Sequence, residues 1–68
     1  MKKGDFIIAI CIRDQAIYMG KATSDIYKSE YGMEVIEFNE TSLGACRVNF
    51  KTYNVCTIDD FFKRIERG

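Results

Sequence analysis

Apolar side chains gather along this chain in four strand-length runs and one helical stripe, with polar or glycine-bearing breaks between them. The first run, residues 5–12, is continuous: Phe6, Ile8, Ile10 and Ile12 share one face, and the mostly small set Ile7, Ala9 and Cys11 shares the other. A strand that is apolar on both faces is expected to be covered on both. After the polar break Arg13-Asp14-Gln15, residues 16–22 read as a returning strand. Ile17, Met19 and Lys21 lie on one side of it, Ala16, Tyr18 and Gly20 on the other. A glycine inside a strand predicts a bulge or a sharp bend at Gly20.

Residues 23–32 are irregular and admit two readings, a single helical turn begun by Ser24-Asp25 or the tip of a long hairpin. A third strand is expected over 33–39, although Val35 beside Ile36 breaks its alternation. The cluster Asn39-Glu40-Thr41-Ser42-Leu43-Gly44 marks a turn. From 45 to 53 the alternation is clean, with Cys46, Val48 and Phe50 inward and Arg47, Asn49, Lys51 and Tyr53 outward. Val55 and Cys56 suggest a short fifth strand.

The C-terminal stripe predicts a helix over 58–67. Thr57 and Asp60 have the spacing of a capping box, and Ile58, Phe61, Phe62 and Ile65 fall on one helical face. Asp59 and Asp60 suit the positive end of the helix dipole, and Gly68 suits a C-terminal cap. A helix this short is not stable alone, so its Phe face is expected to dock on the sheet.

These elements make an α+β, mostly β, single domain over residues 1–68: a small antiparallel sheet of four or five strands, or a barrel, with a C-terminal helix. The opening Lys3-Gly4-Asp5-Phe6-Ile7-Ile8 resembles the first strand of SH3-like barrels, where a Gly-Asp pair precedes an apolar strand. The likeness runs from about Lys3 to Cys56 and implies a small curled barrel. There is no Ala-Leu-Tyr-Asp-Tyr-type motif and no Trp pair, so the proline-peptide groove of signalling members is not implied. No functional residue is carried over from that family.

Composition narrows the chemistry. With 68 residues, 47% hydrophobic and 29% charged, the chain has the make-up of a small globular domain rather than a disordered one. It contains no His, which removes the commonest general base and the commonest metal ligand. Ten basic and ten acidic residues cancel, whereas a phosphate-binding domain usually carries a basic excess. Cys11, Cys46 and Cys56 are an odd number at wide spacing, which suits free thiols in a cytoplasmic protein and neither a disulfide framework nor a zinc site. The plainer reading of all three is small buried hydrophobes, and Cys56, just before the helix, is the one thiol worth a reactivity test. The apolar run after Met1-Lys2-Lys3 is too short for a membrane span and has no small-residue cleavage site. Asp59-Asp60 is explained by its place at a helix start, and the five glycines are scattered, so no phosphate loop forms. The expectation is a protein that is not an enzyme and needs no cofactor or metal.

Two segments remain as binding candidates. Residues Tyr27 and Tyr31, with Asp25, Glu30 and Glu34 around them, combine interface-type aromatics with acids that favour a partner with a basic surface. Arg47, Asn49, Lys51 and Tyr53 combine phosphate-contacting and stacking groups on one strand face. The plainer readings are rings that cap the sheet and an ordinary solvated face. The first segment leads to the main expectation, a protein–protein docking module comparable in kind with small phage or prophage accessory proteins that inhibit or modulate a host protein. The second leads to the alternative, a small barrel that binds nucleic acid or a nucleotide. Self-association is a further expectation, because small sheets often bury an edge that way. No membrane partner is expected.

Overall fold

The Ile-rich run forms β1 (Phe6–Cys11) and the returning run forms β2 (Ile17–Ala22), paired antiparallel with Ala9 opposite Tyr18. Between them Asp14 accepts from the Ala16 N–H at 3.0 Å, and Gln15 takes the left-handed conformation that closes the turn, at φ 64°. A computed structural model describes Met1 to Arg67, so the cap expected at Gly68 lies outside the described residues. The architecture is α+β and mostly β: a curled antiparallel sheet, shaped as a half-barrel, followed by one helix.

The ambiguous segment 23–32 is a hairpin, not a helical turn. A two-residue β3 (Tyr27–Lys28) pairs with the start of β4 (Glu34–Glu40), and the tip is closed by Ser29 N–H to Met33 O at 2.8 Å. Gly32, at φ 79°, supplies the left-handed residue that this tip needs. β4 pairs with β3 near its start and with β2 near its end, while β5 (Gly44–Asn49) takes its other edge. β6 (Tyr53–Thr57) pairs with the far edge of β1. The main path across the sheet is therefore β5-β4-β2-β1-β6.

Ile7, Ala9, Ala22, Ile36, Phe38 and Val48 form the core on the concave face. Gly20 marks a close approach of strands and not the expected bulge, since its register with β1 is unbroken. A Cβ there would collide with the backbone carbonyl of Asn39, so only glycine lets β2 and β4 approach this closely. Val35 breaks the alternation because it faces outward yet is buried, at the base of a cavity roofed by Tyr31 and Met33 from the hairpin tip.

Three expectations need correction. β1 is covered on both faces only at its centre: Ile8 is buried on the convex side, whereas Phe6 is 60% exposed and Ile12 nearly half exposed. The strand expected over 45–53 ends at Asn49, where a turn intervenes before β6. The helix α1 (Ile58–Arg67) forms as expected, with Thr57 Oγ1 accepting the Asp60 N–H at 3.1 Å, but it docks by less of its apolar face. Ile58 and Phe61 are half-buried against the sheet, while Phe62 and Ile65 are each 57% exposed. The reason is connectivity: α1 follows β6 with no linker, so the cap fixes its direction and only its first turns reach β1 and β6. Among the described residues no helix is long and apolar enough to cross a membrane.

Candidate functional site

The hairpin tip and the convex face of β4 and β5 bring several of the candidate residues together. Tyr27 projects from β3, Glu37 from β4 and Arg47 from β5, the last two directly opposite each other. Tyr27 donates its hydroxyl to Glu37 Oε2 at 2.6 Å. Tyr27, and after it the Glu37 and Glu30 carboxylates, push the pKa of the exposed Arg47 guanidinium above its ordinary value. Tyr31, at the tip, is 80% exposed and overhangs a shallow cavity of about 240 Å³ that also reaches Met33, Arg47 and Asn49. The site thus combines an aromatic anchor free in solvent with a hydrogen-bonded Tyr27–Glu37 pair and an exposed guanidinium opposite it. The two carboxylates against one guanidinium leave it acidic.

Not every residue of the first candidate set joins it. Asp25 accepts the Lys3 N–H at 2.8 Å and ties the N-terminal arm to the hairpin. Glu34 stands opposite Lys28, one residue out of phase with the Tyr27–Glu37–Arg47 face.

The second candidate row is broken up. Arg47 belongs to the cluster above. Asn49 Oδ1 accepts from Lys51 N at 3.0 Å, Thr52 N at 2.8 Å and Thr52 Oγ1 at 2.9 Å, so the side chain is spent on closing the β5–β6 turn. Lys51 is exposed at that turn. Tyr53 resumes on β6 with its ring turned inward, 6.3 Å from the Tyr18 ring, and burial pushes its hydroxyl pKa up. The turn shifts the parity of the chain, so no single strand face carries all four residues.

The concave side joins Tyr53 and Arg47 of the second set to groups that neither candidate set included. Tyr18, Phe38, Leu43, Cys46, Arg47, Val48 and Tyr53 line a cleft of about 330 Å³ between β5 and β6. Their sequence positions give no sign of this, because the cleft follows from which strand edges stay unpaired.

The thiols are free, with Cys11 and Cys56 buried and Cys46 half-buried. Cys56 lies just before the helix start, but burial pushes its pKa up, with Arg64 opposing this and Asp60 adding to it. Among the described residues no group of three or more His, Cys, Asp or Glu is placed to hold a metal ion.

The chain matches no protein-family model, no curated protein and no solved structure.

Proposed function

We propose that this protein is a docking module without catalysis, which binds another protein through the β3–β4 hairpin tip and the adjoining face of β5. The observation that carries this reading is Tyr31, a large aromatic ring 80% exposed on a hairpin whose backbone is otherwise fixed by hydrogen bonds. A rigidly presented Tyr loses little entropy on binding and is a frequent interface anchor. The acids Glu30 and Glu37 beside Arg47 favour a partner with a basic surface. A phage-type inhibitor or modulator of a host protein, acting in a reducing cytoplasm, is the role this reading favours. The free thiols are in keeping with that compartment.

The nucleic-acid alternative draws less support, since Tyr53 turns to the concave side, away from the face that carries Arg47 and Asn49. A photo-crosslinking residue in place of Tyr31, compared with one in place of Asn54 on β6, tests the proposal in a lysate. Capture from position 31 with none from position 54 is expected. Equal capture from both, or tight salt-sensitive binding to labelled oligonucleotides that Arg47→Ala/Lys51→Ala abolishes, would reject it.

A further inference from the structure

The half-barrel is unfinished along one line. β5 pairs with β4 alone and β6 with β1 alone, and the two part company after the turn that joins them. Phe50 N–H donates to Glu34 O at 3.0 Å, which fixes the phase of the β4–β5 ladder. Antiparallel ladders alternate, so Val48 and Cys46 direct their backbone groups to β4, while Ala45 and Arg47 direct theirs outward. By the same rule Ile12 N–H to Thr52 O, at 3.0 Å, leaves Val55 of β6 facing the opening. The inward side chains along this margin, Cys46, Tyr53 and Val55, touch the core and remain only partly buried. Beside them lies the 330 Å³ cleft, with Leu43 at its rim 66% exposed.

The geometry points to a peptide-binding site: an extended segment of a partner protein adds as a strand to the free edge of β5. This deepens the docking proposal and rests on it, since it names the form in which the partner binds. Unspent N–H and C=O groups at Ala45 and Arg47 select an extended backbone over a helix or a flat surface. Alternate side chains of such a strand point to opposite faces. One set enters the concave cleft, where the side chains of Leu43, Val48, Tyr18 and Tyr53 suit aliphatic residues and Arg47 also reaches the lining. The other set lies on the convex side near Tyr31, Arg47 and Asn49, where Glu30 and Glu37 outweigh Arg47 and favour Lys or Arg. The ligand class is therefore a strand of alternating aliphatic and basic residues.

The probe is an end-blocked synthetic peptide, Thr-Val-Lys-Leu-Lys-Val-Thr, together with two versions N-methylated on alternate residues in the two frames. Titration into the isotope-labelled protein should shift the Ala45 and Arg47 amides and slow their hydrogen exchange by at least about tenfold. Only one methylated frame should bind, because only one edge of the peptide faces β5. Ala45→Pro removes an outward N–H without touching the β4 ladder, and it should abolish peptide binding with the circular dichroism unchanged. Should that variant unfold, the methylated peptides still decide. No shift up to millimolar peptide, or equal binding of both methylated frames, overturns strand addition. So does protection of Ala45 and Arg47 that grows with protein concentration alone, which would place a second copy at the edge. Crosslinking at position 31 that survives Ala45→Pro keeps the docking proposal and rejects the strand. Loss of both crosslinking and peptide binding in a folded Ala45→Pro supports strand addition.

Discussion

The wall made by β1, β2 and β4 and the margins made by β5 and β6 use the same kinds of side chain, yet one is closed and the other open. Ile7 and Ile36 are 0% exposed and Phe38 is 1% exposed, all in strands with a neighbour at both edges. Cys46, Tyr53 and Val55 aim at the same interior from strands with one neighbour and stay partly in solvent. Pairing separates these residues more than hydrophobicity does. Val48 on β5 is still closed over, at 6% exposed, but Cys46, Tyr53 and Val55 lack the next strand that would cover their flank.

The sharpest way to break this contrast is to truncate one ring in each region. Phe38→Ala should cost about 3–5 kcal/mol, because it empties a fully buried site in a closely packed wall. Tyr53→Ala should cost no more than about half of that, since its ring is partly solvated already. Chemical denaturation of both variants gives the comparison. Equal losses would mean that the margin is as closed as the wall.

The cysteines read the same contrast without truncation. Cys46 lies on marginal β5 and is half-buried; Cys11 on β1 is buried, and so is Cys56, which sits on marginal β6 beside α1. Under native conditions Cys46 should react with a thiol reagent at least about tenfold faster than the other two, which need an opening event first. The raised pKa of Cys56 reinforces its slowness, because less of it is thiolate at neutral pH. Mass spectrometry of partly labelled protein gives the order. Cys56 reacting first would mean that the helix start activates it after all.

Much of this wall was legible in the sequence. The continuous run Phe6–Cys11, the glycine at position 20 and the Thr57–Asp60 capping pair each carry a local physical signal, and they appear as a strand, a close strand approach and a cap. The margin was less legible. Arg47, Asn49, Lys51 and Tyr53 alternate as a strand would, but Asn49 bonds the backbone two and three residues ahead and turns the chain. Asn followed by a Thr three residues on was an available turn signal, masked by the alternation around it. The meeting of Tyr27, Glu37 and Arg47 depends on the register between three strands, which no local pattern encodes.

The helix offers a smaller contrast of the same kind, between a cap that is made and a face that is only half used. Thr57→Ala should cost about 1 kcal/mol, the usual value of an N-cap hydroxyl. Phe62→Ala should cost less than about 0.5 kcal/mol, because its ring is mostly in solvent. Thermal melts of the two variants decide the ranking. A Phe62 loss larger than the Thr57 loss would show that α1 docks by its full apolar face.

The last contrast lies between the two turns that flank the margin. Each is closed by a side-chain oxygen that accepts a backbone N–H two residues ahead: Asp14 for Ala16, and Asn49 for Lys51. One acceptor titrates and the other does not. The Ala16 N–H, followed by the Cys11 thiol and Arg13, holds the Asp14 pKa below its ordinary value against a small opposing effect of burial. A carboxylate with a depressed folded pKa adds stability above its unfolded value, near pH 4, and loses it as pH falls through the lower folded value. The β1–β2 turn should therefore weaken as pH falls below about 4, while the β5–β6 turn does not. Asp14→Asn keeps an acceptor oxygen in place and removes the charge, which makes the first turn chemically like the second. Its denaturation midpoint should fall less than that of the parent protein between neutral and acid pH. Identical acid dependence in the two proteins would mean that Asp14 contributes nothing through its charge.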